Sequence, residues 1–313
     1  MNAEVYTGTA DWADAKTYAK KVIDSPYKLY TAKKGQWSAY QQLFMGDNGE
    51  NGSSVEAIFP ILQDGKKTTS WGTTLFLMAG CNDNKERVKS ATEKGNNTTE
   101  GWAGNRMRPD LVQKFFPNND APNISAYAMP AAADDDRALF DGDGRNVTNG
   151  DDENGVKVFT NGFSVCKFNN FKTDGSAGHD SKFPDTDFFL MRAAEAYLMY
   201  AEADARQNGG TTTADGAKYI NELRSRAHAT THTAYSLRQI CDEWSREFYF
   251  EGLRRTTLTR FGYFGGNVNY NWSWKGGVKN GRNFDAHLNL FPIPTSDLTA
   301  NGNLAQNPGY SSK

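Results

Sequence analysis

Apolar and small residues recur at helical spacing through residues 187–260, and this is the strongest pattern in the chain. Ala193, Ala194, Ala196, Ala201, Ala203 and Ala205 interleave with Leu190, Tyr197 and Leu198. Side chains this small let a neighbouring helix approach closely, as stacked helical hairpins require. The pattern predicts three helices in a row, the middle one short. Helices of this kind build scaffolds more often than active sites.

Upstream, amphipathic spacing predicts a helix over 10–24, broken by Pro26. Ala3 to Tyr6 reads as the end of a preceding helix and Gly8 as its stop, so the chain is expected to have been shortened at its N-terminus. Residues 46–54 form a polar turn and 55–60 a short strand. Residues 70–79 read as a strand or buried loop, and 82–101 as a polar excursion without core signal. Pro109 and Asp110 suit the first turn of a helix whose apolar face is Leu111, Val112, Phe115 and Phe116. Alternation across Asn161-Gly162 predicts a β-hairpin joining 156–160 to 163–168. The fold class is therefore mainly α: tetratricopeptide-like helical pairs with a loop-rich, partly β lobe. A single domain is expected over 1–313, its helical elements at about 3–24 and 187–260 and its lobe at about 25–186 and 261–313.

Composition narrows the partners. The 313 residues carry a formal charge of -2, and no basic block or helix face is present. That removes the electrostatic case for nucleic acid. Cys81, Cys166 and Cys241 lie far apart, with no zinc-ligand spacing and no even-numbered disulfide set. No run approaches the roughly 20 apolar residues that span a bilayer.

Catalytic and metal patterns are weak. Glu247 and Glu251 stand one turn apart between Arg246 and Arg254, and flanking arginines hold carboxylates ionised, which removes a general acid. Ion pairing is the expected role, as it is for Glu195 and Glu202. His228 and His232 have a metal-like spacing, but the threonines around them signal a helix end; His179 and His287 are isolated in loops. Asp141, Asp143 and Asp152 match positions 1, 3 and 12 of a calcium loop, yet Arg145 and Asn146 replace a ligand and the turn glycine. A solvated turn is expected. No metal and no cofactor are predicted.

Aromatic residues, 13% of the chain, carry the positive signal. Sugars present C–H faces ringed by hydroxyls, so a glycan site needs exposed flat rings beside amide or guanidinium hydrogen-bonders. Trp71, in Ser-Trp-Gly-Thr-Thr-Leu-Phe, and Trp102, followed by Asn105 and Arg106, are the candidate ligand-binding residues, with Trp37 as a third ring.

Six fragments in order resemble the carboxy-terminal part of the SusD/RagB family. They are Ala3-Glu-Val-Tyr-Thr-Gly8, Asp187-Phe-Phe-Leu-Met-Arg192 through Ala201-Glu-Ala203, Asn221 to Ala227, and Arg246-Glu-Phe to Arg254. Tyr270 to Gly277 and Phe291-Pro-Ile-Pro294 to Tyr310 complete the set. The family consists of outer-membrane lipoproteins that bind glycans and partner a SusC-type TonB-dependent transporter. The resemblance implies a non-enzymatic cell-surface protein that binds an oligosaccharide or polysaccharide and delivers it to that transporter. The Trp274-Lys-Gly-Gly277 segment resembles the starch-binding branch in particular. Outer-membrane localisation would come through a lipid anchor that this sequence does not carry. Thr257 stands where the family usually has Asp, so the salt bridge made there is not expected. The alternative reading is a helical protein-interaction scaffold without glycan binding.

Overall fold

The structure, a computed structural model, describes residues 10–83, 95–147, 158–266 and 270–311. Its elements begin with α1 (Trp12–Ile23), α2 (Ala39–Gln42), β1 (Ala57–Ile61), α3 (Thr74–Cys81) and β2 (Arg106–Met107). Then come α4 (Pro109–Val112), α5 (Met129–Ala132), β3 (Phe140–Asp141), β4 (Phe163–Val165) and β5 (Phe188–Arg192). The helical run follows as α6 (Ala193–Gln207), α7 (Ala214–Arg226), α8 (Leu237–Phe248) and α9 (Arg254–Arg260), with α10 (Thr295–Ala300) near the end. The proposed helical end at Ala3–Tyr6 lies outside the described residues.

The alanine stripe does what its spacing predicts. Ala194, Ala196, Ala201 and Ala205 are buried, and α6 packs against α1, α7 and α8. Tyr197, Leu198, Ile220, Leu223, Ile240, Trp244 and Phe248 fill the layer between these helices. The boundaries differ from expectation at three points. Residues 188–192 are strand, because β5 pairs antiparallel with β1, so the first helix starts at Ala193. The middle helix, at 13 residues, is no shorter than α8, at 12. The third splits where Phe250 and Gly252 take positive φ and turn the chain into α9.

Two local expectations are overturned. Residues 74–81 form a helix, not a strand or loop; its apolar residues surround the axis, so no helical period shows in the sequence. The hairpin across Asn161-Gly162 does not form with 158–160. β4 instead pairs with β2 on one side and β3 on the other. Gly162, at φ 95, lets the Met107 carbonyl approach: a Cβ there would meet it at 2.7 Å.

Beneath the helices lies a buried ionic network. Arg192, at the β5–α6 junction, donates to Glu56 (2.8 Å), Glu247 (2.6 Å) and Glu251 (2.9 Å). Arg226 of α7 reaches Glu56 and Glu247; Arg137 reaches Asp135, Glu243 and Glu247. Lys167 donates to Glu251 at 2.6 Å, and Arg224 and Arg246 both hold Glu243. Glu247 and Glu251 are thus ion-paired as expected, but by arginines from other elements. Arg254 instead bonds the Cys241 carbonyl and the Tyr270 hydroxyl. Glu202 is held by Arg206, Arg260 and the Trp244 indole N–H. The network ties β5, α7, α8 and the segments that carry Glu56, Arg137, Lys167 and Glu251 to one point.

Glu195 behaves differently. Burial pushes its carboxyl up to about 7, against the Arg192 backbone N–H that it accepts and the Arg192 charge. Between about pH 4.5 and 7 the native state binds more protons at this site than the unfolded chain does. Its contribution to stability is therefore greatest in acid and declines as pH rises through 7. Glu195→Gln keeps the acceptor without the charge. It should match wild type near pH 4.5 and exceed it by about 3 kcal/mol at pH 8, read from urea midpoints at both values.

Candidate functional site

The two proposed stacking tryptophans flank α3. Trp71, three residues before the helix, is 52% exposed; its ring meets Phe183 edge-on at 5.2 Å, with the Lys182 Nζ 4.6 Å from its centroid. Trp102 is 45% exposed and meets Phe76 of α3 edge-on at 6.1 Å. Its backbone N–H donates to the Ala79 carbonyl (2.7 Å) and its indole N–H to Glu100 (3.3 Å). Because α3 has eight residues, it runs only about 12 Å. One short helix therefore carries Phe76 outward, follows Trp71, and anchors the Trp102 strand in its last turn.

Asn105 is exposed and lies against Gly80, where a Cβ would stand 2.8 Å from the Asn105 Nδ2. The Asn105 N–H donates to the Gly80 carbonyl at 2.6 Å. Arg106 donates from Nη1 to the carbonyls of Val158 and of Asn161 (2.9 Å), and its Cζ lies 5.4 Å from the Phe159 centroid. Its guanidinium is thus drawn toward 158–161.

Trp37 is corrected. Only 2% of it is exposed; it packs with Met45 and Phe171, and its indole N–H donates to the Thr173 carbonyl at 3.0 Å. The ring has no face left for a sugar. Tyr270 is buried and Trp272 half-buried against Phe264 and Phe284, so both rings of that segment are used in packing. Thr257 turns its hydroxyl to the Leu253 carbonyl, a bond inside its own helix.

Acidic and histidine groups are mostly committed to the protein. His179 is not isolated: its ligand atom, with those of Asp64 and Asp185, forms a group in which all lie within 4.8 Å of one another. Yet Asp185 accepts the backbone N–H groups of Gly65 (2.7 Å) and His179 (2.8 Å), and Asp64 those of Lys66 and Lys67. These bonds close the turn at 64–68. His228 faces Asp136 at 2.6 Å, and His232 sits edge-on to Tyr235. In the proposed calcium-like turn, Asp141 is buried and accepts the N–H groups of Ala126 and Asp143, while Arg145 pairs with Asp83. Asp152 lies outside the described residues. Burial pushes the Cys81 thiol up to about 12, which makes it inert at neutral pH.

Two concavities stand out. A groove of ≈ 1090 Å³ runs between 28–33 and α7, bordered by Lys28, Tyr197, Lys218, Asn221 and His232. A smaller cavity of ≈ 570 Å³ lies between α4, α8, α9 and the 270–273 segment. Trp71 and Trp102 border neither, so the exposed rings form an open face and not a pocket wall. Local sequence did not reveal the second cavity, whose basic residues come from three separated segments.

Comparison with known proteins agrees with the fold. The chain is 42% identical to the starch-binding protein SusD of Bacteroides thetaiotaomicron over 342 aligned positions, covering 99% of this chain and 58% of SusD. It is 30% identical to the SusD-like protein P2 of Formosa agariphila over 158 residues, 45% of this chain and 29% of that protein. Surface glycan-binding protein A of B. thetaiotaomicron, solved with laminarihexaose, superposes with a TM-score of 0.57 at 21% identity, covering 95% of this chain and 59% of that one. The chain thus spans under two thirds of the length of these relatives. Its helical run, its small sheets and a family profile that matches residues 55–310 as SusD_RagB lead to one conclusion: the chain belongs to the SusD family.

Proposed function

We propose that this chain is a non-catalytic glycan-binding protein of the cell surface. It holds an oligosaccharide, an α-glucan such as starch first among candidates, for delivery to a SusC-type TonB-dependent transporter in the outer membrane. The observation that carries the reading is the pair of half-exposed indoles at Trp71 and Trp102 on the flanks of α3. Each ring keeps one neighbour edge-on, which fixes its plane while leaving a face in solvent for a pyranose C–H surface. Asn105 supplies an exposed amide beside Trp102, and Arg106 borders the same loop. The names of the similar proteins, starch-binding in one and glycan-binding in another, support the ligand class. Catalysis is disfavoured by the state of Glu247, one of the paired acids: despite burial, Arg226, Arg192 and Arg137 hold its carboxyl well below the usual carboxylate range, so it carries no proton to donate.

Trp102→Ala should weaken maltoheptaose binding about 10-fold or more in isothermal titration, as loss of an aromatic anchor does. Trp37→Phe, a change inside the core, should leave affinity within two-fold. Equal affinity for wild type and Trp102→Ala removes the assigned site.

A specific surface favours a second reading, an interaction scaffold. The β1–β5 pair leaves Phe59 exposed opposite an exposed Met191, with Ile61 and Leu190 also exposed on the same two strands and Leu62 just beyond β1. Exposed apolar side chains gathered in this way mark a protein contact more often than a sugar contact. Co-purification of a partner by a chain that no glycan retards in affinity electrophoresis would favour it over the first reading.

A further inference from the structure

The ≈ 570 Å³ cavity between α4, α8 and α9 is lined by six basic side chains and one acidic one, Asp110. Lys114 pairs with Asp242 at 2.7 Å. Among the described residues, Arg254 and Arg255 bond neutral acceptors: the Cys241 carbonyl and sulfur, the Leu288 carbonyl and the Tyr270 hydroxyl. Asp110 is occupied by the backbone N–H and hydroxyl of Ser273. Arg238 lies over the Tyr270 ring, 4.3 Å from its centroid, with no ion pair among the described residues. Arg108 is the sharpest case: its Nη1 is shut off from solvent and has no hydrogen-bond partner among the described residues.

An unpaired buried guanidinium nitrogen is costly, so the Arg108 side chain gains by turning toward an acceptor that enters the cavity. The wall opposite supplies rings: Trp272, half-buried, stacks on Phe264 at 6.1 Å, and Tyr270 stacks on Tyr263 at 4.6 Å. The volume falls within the range of small-molecule sites. Planar guanidinium groups recognise carboxylate and sulfate oxygens in the same forked geometry. We propose that this cavity is a second ligand site, separate from the α3 face, which takes an anionic sugar with its carboxylate or sulfate on Arg108 and Arg238 and its ring toward Trp272. The sugar half rests on the glycan-binding reading; the anion half rests on the cavity alone. Burial also drives the Arg108 and Arg106 pKa values down; repulsion from Arg108 and Arg145 adds to the effect at Arg106, and the Asp110 carboxylate opposes it at Arg108.

The test is titration of the whole chain with D-glucuronate, glucose 6-sulfate, D-glucose and inorganic sulfate, on wild type, Arg108→Gln, Arg238→Gln and Trp102→Ala. The expected result is that at least one of the two anionic sugars binds 10-fold or more tightly than glucose and more tightly than sulfate. That preference should fall as salt is raised and be lost in both arginine variants, but persist in Trp102→Ala. Whether glucuronate or glucose 6-sulfate leads identifies the anion. Arg238 is exposed, so its variant reads the site even if Arg108→Gln unfolds. Anionic sugars no tighter than glucose, or wild-type affinity in both folded arginine variants, overturns the site. Inorganic sulfate binding as tightly as the sugars overturns the sugar half alone. Maltoheptaose binding lost in Trp102→Ala, with glucuronate binding intact, keeps this site apart from the α3 face.

Discussion

Arg192→Met should destabilise the chain by about 3–5 kcal/mol, the loss expected when one partner leaves a buried ion pair. The side chain is fully buried and donates to three carboxylates and to the Glu247 carbonyl. Met fills most of its volume, so the loss is electrostatic: Glu251 keeps Lys167 but loses two bonds, while Glu247 keeps Arg226 and Arg137, and Glu56 keeps Arg226, each of these two carboxylates with one bond fewer. With a urea m-value of about 3 kcal/mol/M for a chain of this size, the midpoint should fall by about 1–2 M. Lys20→Ala is the control. It removes the exposed Lys20–Asp24 pair and should leave the urea midpoint unchanged within error. A wild-type midpoint in Arg192→Met would mean that the network holds geometry without holding stability.

Arg192 also explains why the fold was only partly legible. The α6 alanines advertise their packing because helical spacing is local: each partner position lies three or four residues away. The same holds for Asp11, whose carboxylate caps α1. Arg192 is joined to Glu56 and Glu251, which are 136 and 59 residues distant, and nothing near either acid names its partner. β4 likewise finds β2 and β3 across long gaps, so the Asn-Gly pair beside it suggested a hairpin with its own neighbour. Residues 74–81 hid a helix because burial on several sides erases the polar stripe that reveals one.

The candidate site shows the same limit at the scale of single rings. Trp37 and Trp102 each sit in a short polar, glycine-containing context, and sequence offers no means to separate them. What separates them is tertiary: Met45 and Phe171 cover one, while Phe76 meets the other only edge-on. The ≈ 570 Å³ cavity needed three segments to come together before its unbalanced charge existed at all.

Acid should dismantle the network in a way a single variant can expose. Glu243 is fully buried, which by itself would raise its pKa, but Arg137, Arg246 and Arg224 hold it down to about 2. A carboxyl depressed in the native state contributes stability that is fully present above its unfolded value, near 4.5, and is lost as pH falls through about 2. That difference of about 2.5 units corresponds to roughly 3 kcal/mol. Glu243→Gln lacks the charge at every pH, so it should be less stable than wild type by about 3 kcal/mol at pH 6, measured by urea unfolding. The gap should narrow steadily below pH 4.5 and close near pH 2, where wild-type Glu243 is itself neutral. A gap that stays constant from pH 6 to pH 2.5 would mean that shape, not charge, is what Glu243 contributes. Glu195→Gln runs with the opposite sign, gaining on wild type as pH rises, because burial outweighs charge at that carboxyl and three arginines outweigh burial at the other.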